Sequence, residues 1–417
     1  MLPPILEIFV LWHPDDSRGE DFAETIFNHF MKGPTFSGLI GGGVQVSLRS
    51  TGWEGSGTAP RPIYTEGQPA PNGIRPASFV AVVPLIGTEM AASVENEETQ
   101  WHAYVNAIRS LYQASPKRVG VFPYSLDAGA THGTKLQDIL GNFQFVAAGN
   151  PARKDESILS MLCRDLTQGL AQLVSPDEMD RLTAFISHTK RHSQEEGEDV
   201  DALVDLVREV IRNTRLKEFF DASDLQPGTD WDQELRDKSG TSAMLALRTD
   251  LYSSREWCQR EVVIAKTHGM PVIMFDAVGV GEERGSFLMD HVPRIAVRKV
   301  DGDWQKQDVY RALNLLVDEC LKRALWMHQR DLANEHPELD VAWWAPHAPE
   351  PLTLSRWIDD YLAQNGDDDS DDTVRILHPD PPLGPEERDV LMSYARTTRI
   401  GREVDIMTPR QLAMRGG

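Results

Sequence analysis

Twice along this 417-residue chain, short apolar runs alternate with segments whose apolar residues recur at helical spacing. Strands that are apolar throughout are buried on both faces, which calls for a parallel sheet with helices packed on either side. In the first half the pattern predicts strands at residues 5–12, 44–50, 78–86, 118–124 and 142–148. Helices are expected near 20–31 and 101–112, and a closing helix at 156–174 places Ile158, Leu162, Leu166 and Leu173 on one stripe. Residues 51–76 are rich in Gly and Pro and read as a loop. The second half repeats the order, with strands at 182–188, 218–223, 242–248, 271–278 and 294–299. Its helices are expected at 199–213, around Trp257 and Glu261, and at 307–328. The length suits two or three domains, with boundaries expected at 1–176, 177–332 and 333–417.

Composition narrows the function classes. The formal charge is −22, which repels phosphate backbones and anionic lipid, so direct nucleic-acid binding and membrane-surface attachment are disfavoured. No apolar run is long enough to span a bilayer. The first residues, MLPPILEIFVLW, lack a preceding basic region and read as a buried strand, not a signal peptide. Three widely separated cysteines, Cys163, Cys258 and Cys320, fit a reducing cytoplasm without a disulfide framework, and no Cys/His spacing suggests a metal. Residues 333–417 contain Pro-rich pieces and an acidic run at 367–372, expected to be a solvated linker. Beyond it the pattern gives one strand, one helix and a second strand. That is too little for a core of its own, so this extension is expected to dock on the rest or to belong to a further domain.

Three segments of the second half carry chemistry: TAFISHTK at 183–190, FFDASDLQPGTDW at 219–231 and SSREWCQREVVIAK at 253–266. On a helix, Cys258, Val262 and Ala265 share one face, and Glu261 borders it, four residues after Trp257. Position alone favours a solvated surface glutamate. In order and spacing, the three segments together resemble a Toll/interleukin-1 receptor (TIR) domain. The resemblance is strong over 181–299, weak over the first 175 residues and uninformative beyond 332. It implies an α/β fold class of two flavodoxin-like parallel-sheet domains in tandem, followed by a Pro/Asp-rich C-terminal extension.

In TIR enzymes a Trp-x-x-x-Glu motif after a Ser-rich turn holds the catalytic acid, which implies Glu261 as catalytic residue. The chemistry is coherent: loss of nicotinamide from NAD+ passes through an oxocarbenium-like state that a carboxylate stabilises. The resemblance implies substrate contacts from Phe185, Ser187, His188, Lys190, Asp221, Asp224, Trp231, Ser254 and Trp257. Several have plainer readings as well. Phe185 fits the core, His188 loop packing, Ser253 and Ser254 a helix cap, Trp231 an anchor for a neighbouring subunit, and Cys258 inert packing.

In the first half, aligning Trp101 with Trp257 puts Val105 where Glu261 stands and Leu11 opposite Ser187, as in a copy without an active site. The expectation is a cytoplasmic NAD+ glycohydrolase or ADP-ribosyl cyclase acting in antiphage defence. It needs no cofactor beyond NAD+ as substrate and is gated by self-association through the TIR domain. A trigger would be sensed by the N-terminal domain or the C-terminal extension. The alternative is a non-catalytic TIR scaffold. A third reading is a deoxyribosyltransferase-like enzyme, which also uses a carboxylate on such a fold.

Overall fold

The computed structural model describes residues 4–36, 43–52, 54–55, 58–66, 75–127, 129–146, 154–175, 182–190, 197–220, 242–282, 284–334, 339–365, 373–398, 400 and 402–415. The chain is mixed α/β, with several parallel sheets, and divides into two compact units, Met1–Glu178 and Met179–Gly417.

In the first unit, β1 (Leu6–Trp12) is followed by α1 (Gly19–Phe27) and β2 (Val44–Arg49). Then come β3 (Phe79–Ile86), α2 (Thr88–Glu95), α3 (Gln100–Ala114), β4 (Val119–Val121), β5 (Tyr124–Ser125), α4 (Lys135–Leu140) and α5 (Ile158–Val174). The strands pair in parallel in the order β2-β1-β3-β4, and β5 also pairs with β3. Trp101 and Val105 of α3 are buried against Leu11, Val80 and Val82. A fully buried ion pair joins Arg164 of α5 to Glu156, with Nη2 donating to Oε2 at 2.7 Å. The strand expected at 142–148 does not form over the described part of that range. Phe143 and Phe145 instead pack against the core, and only Val146 N–H reaches back to Pro123 O, at 2.9 Å. The short α4, just ahead of this segment, lies where the sequence pattern predicts no helix.

The second unit opens with β6 (Thr183–Ser187), α6 (Gly197–Arg212), β7 (Lys217–Phe220), β8 (Ser242–Arg248), α7 (Glu256–Thr267), β9 (Val272–Asp276) and β10 (Arg294–Ala296). The strands are parallel, in the order β7-β6-β8-β9-β10. A hairpin, β11 (Lys299–Val300) with β12 (Asp303–Trp304), leads to the long α8 (Lys306–Asn334). Period-two alternation assigns the faces. Ala184 and Ile186 join Leu203 and Val207 of α6 and Leu313 and Leu316 of α8 on one side. Phe185, Met244 and Ala246 meet Cys258, Val262 and Ala265 of α7 on the other. The three cysteines are buried and unbridged.

The rest of this unit is β13 (Trp343–Trp344), α9 (Pro351–Asn365), β14 (Val374–Leu377), α10 (Pro385–Thr397), β15 (Val404–Met407) and α11 (Pro409–Arg415). The expectation that this stretch lacks enough material for a core is corrected. Trp343 and Trp344, in a stretch that reads as Pro-rich irregular chain, supply a third strand, giving the parallel order β13-β14-β15. Leu354, Ile358, Ile376, Leu391 and Ile406 form its core, and Trp343 stacks on Trp357 with centroids 5.2 Å apart. Trp326 of α8 packs against Leu377 and Met407. The acidic run at 367–372 lies outside the described residues.

Candidate active site

The alternation that buries Phe185 also decides where Ser187 points. Both lie on the α7 face of the sheet, and Ser187 is the last residue of β6, at the carboxyl ends of the parallel strands. Open α/β sheets place ligands at that edge. The chain leaves β8 through a short turn, Tyr252–Ser254, that turns Tyr252 inward before α7 begins. The Ser187 hydroxyl bonds the carboxylate of Glu261 (Oγ to Oε2, 2.5 Å) and the hydroxyl of Tyr252 (2.6 Å).

Glu261 is 3% exposed and Tyr252 is fully buried. This rules out the surface reading of Glu261 that its position alone favours. A carboxylate so far from water needs hydrogen-bond donors, and Ser187 provides one. Burial, with the nearby Cys258 and Glu261, pushes the Tyr252 phenol well above its usual range, so it stays protonated and can donate. Sequence reasoning missed Tyr252. The available signal was an aromatic directly before the Ser-rich turn, two residues ahead of Ser254.

A second network holds the neighbouring loop. Asp250 accepts backbone N–H groups from Gly279, Val280 and Gly281 at 2.9, 3.1 and 3.2 Å. Arg248 Nε donates to Glu282 Oε1 at 3.1 Å, its Nη2 bonds Oε2, and Ser253 Oγ donates to Oε1 at 2.5 Å. Burial pushes Glu282 up, but the bonds from Arg248 and Ser253 outweigh it and hold the carboxylate below its usual range.

The other expected residues are placed unevenly. Phe185 is core. Trp257 is 42% exposed, with the Arg260 guanidinium over its ring. His188 Nδ1 lies 3.3 Å from Thr189 O, and Lys190 is exposed. The helix-cap reading of Ser253 and Ser254 is corrected: α7 starts after Arg255, which makes no side-chain cap, and Ser254 Oγ donates back to Leu251 O at 2.8 Å. The turn places Ser254 one residue and Ser253 two residues ahead of the N-cap position. Asp221, Asp224 and Trp231 lie outside the described residues. Cys258 is buried in the core.

Among the described residues, no group of three or more His, Cys, Asp or Glu side chains is placed to hold a metal ion. None of the described helices is long and apolar enough to cross a membrane. No protein-family model matches the chain, and no curated protein matches it.

Proposed function

We propose that the second unit is a TIR-type NAD+ glycohydrolase with Glu261 as its catalytic carboxylate. The observation that carries this reading is the buried bond from Ser187, at the carboxyl end of β6 in a parallel sheet, to Glu261 of α7, the helix that also holds Trp257. The strand order, second-first-third-fourth-fifth in chain sequence, is that of flavodoxin-like sheets and supports the same reading.

In the reaction, the bond between ribose C1′ and the nicotinamide nitrogen breaks, and its electron pair leaves with nicotinamide, which becomes neutral. The Glu261 carboxylate stabilises the positive charge left on the ribose. Water then bonds to C1′ and gives up a proton, yielding ADP-ribose; attack by an adenine nitrogen would give the cyclic product instead. Because the leaving group departs uncharged, no strong general acid is required, and one carboxylate suffices where glycosidases use two. Ser187 fixes the orientation of Glu261, and Tyr252 fixes Ser187.

Product analysis of purified protein incubated with NAD+ tests this. Release of nicotinamide that Glu261→Gln lowers by two or more orders of magnitude, with the fold intact, is the expected result. Undiminished turnover in that variant would remove Glu261 from the mechanism.

A second reading, a TIR scaffold acting through homotypic contacts, is favoured by the exposed Trp257, Val280 and Phe287 of this unit, at 42%, 76% and 67%. It predicts association by light scattering without any release of nicotinamide. A role in antiphage defence belongs to the first reading.

A further inference from the structure

At the amino-terminal ends of β9 and β10, away from Ser187, the second unit holds a partly open cavity of about 230 Å3. Its walls include Pro271, Pro293, Pro346, Pro379 and Pro381, drawn from four separate segments. Proline side chains lose almost no conformational freedom when a ligand arrives, so such a cavity is largely preformed.

Polar groups converge on it. Glu350 is 4% exposed, and its Oε2 accepts from Lys266 Nζ at 2.9 Å. Lys266 Nζ also donates to Asp290 O at 2.6 Å. The other carboxylate oxygen, Glu350 Oε1, is buried and has no hydrogen-bond partner among the described residues. His347 Nε2, from the same lining segment, is in the same state. A buried acceptor left without a donor is costly, and natural folds seldom leave one without a bound molecule to satisfy it.

The lining charges decide the class of that molecule. Lys266, Lys322 and Arg323 are balanced by Glu319, Glu350 and Asp380, so a phosphate or other polyanion would meet as many carboxylates as cations. A neutral ligand fits this balance. It must offer an N–H to Glu350 Oε1 and, beside it, an acceptor for the Lys266 or His347 side. A primary carboxamide presents those two groups side by side on one carbon, and a flat ring suits proline walls in a cavity too small for a dinucleotide.

We propose that this cavity is a binding site for a small neutral ligand bearing a primary carboxamide on a flat ring. The class is read from the cavity alone. Nicotinamide as its natural source rests on the proposed reaction, which would release it. Lys266 and Glu261 lie on the same helix, five residues or about 7–8 Å of rise apart. Occupancy of the cavity therefore bears on the helix that carries the catalytic carboxylate.

Calorimetric titration of the full chain with nicotinamide, without NAD+, tests the site independently of any reaction. One-to-one binding is expected, with benzamide comparable and nicotinic acid at least tenfold weaker, since it brings a carboxylate where Glu350 needs a donor. His347→Ala removes a ring nitrogen that bonds nothing in the described fold and should weaken binding about tenfold or more, as should Glu350→Gln. Ser187→Ala should leave binding unchanged. Absence of binding at millimolar nicotinamide, equal affinity for nicotinic acid, or binding that survives His347→Ala but is lost in Ser187→Ala would each overturn the proposal. A chain that binds nicotinamide here but does not cleave NAD+ would refute only the proposed reaction.

Discussion

The Ser187 hydroxyl lies between a buried carboxylate and a buried phenol, so its two neighbours fix its orientation. Tyr252→Phe removes one of them while keeping the ring that fills the core. Stability should fall by about 1 kcal/mol, the worth of one hydrogen bond. In the proposed reaction kcat should fall roughly tenfold to a hundredfold with KM little changed, because Tyr252 acts through Ser187 and does not touch substrate. Steady-state kinetics paired with a thermal melt would check this; a drop in KM alone would assign Tyr252 a different role. In the first unit, the buried pair of Arg164 and Glu156 supports a sharper stability prediction. Glu156→Ala removes the carboxylate that pairs with a buried guanidinium and should destabilise that unit by about 3–5 kcal/mol in denaturant unfolding.

At the scale of elements, α7 is the piece that matters most, since Glu261 and Lys266 are both buried on it. It ends at Gly269, whose φ of +62° is the left-handed conformation that closes helices, with Gly269 N–H bonded to Lys266 O at 3.1 Å and Met270 N–H to Ala265 O at 2.9 Å. A Cβ at Gly269 would lie 2.8 Å from the Pro346 ring. Gly269→Ala therefore combines an unfavourable φ with a steric conflict and should lower stability by about 1–3 kcal/mol. Comparison with Gly285→Ala, where a Cβ meets nothing within 4 Å and φ is not in the left-handed region, provides the control. Equal melting temperatures for the two variants would contradict the argument.

At the scale of the whole molecule, the two units differ in chemistry more than in strand order. Val105 and Leu11 of the first unit are both fully buried apolar residues at the positions that align with Glu261 and Ser187. Residues 1–176 expressed alone should therefore release no nicotinamide from NAD+, which an endpoint assay on that fragment would show. Acid should weaken the second unit through His378. This residue is fully buried, its Nδ1 lies 2.8 Å from Pro379 O, and burial, with Lys322 nearby, pushes the imidazole down to about 4. An unfolded histidine titrates near 6.5. Between those values the unfolded chain binds the proton and the folded one does not. The contribution of the neutral ring is thus complete above about pH 6.5 and is lost as pH falls toward 4, by at most about 1.4 kcal/mol per pH unit. His378→Asn retains a donor for Pro379 O and should flatten the acid slope of a Tm-against-pH series.

Much of this architecture could be read from the chain alone. Apolar runs such as 79–86 and 242–248 and the stripe of α5 announce themselves because burial on two faces leaves no room for polar residues, and helical spacing follows from one apolar face. Helical spacing by itself sets Glu261 only at the border of the core face; what singles it out is the resemblance of its motif to that of TIR enzymes. Three things were decided only by tertiary structure. Glu261 is buried rather than solvated, because the turn after β8 brings Tyr252 under Ser187, a contact between residues 65 apart in sequence. The stretch containing Trp343 and Trp344 becomes a strand because β14 offers it an edge, something no local propensity encodes. The cavity beside Glu350 is lined by segments far apart in sequence, and Lys266 meets that carboxylate across 84 residues. Local spacing specifies which face a residue takes; which distant residue meets it there depends on how the whole chain packs.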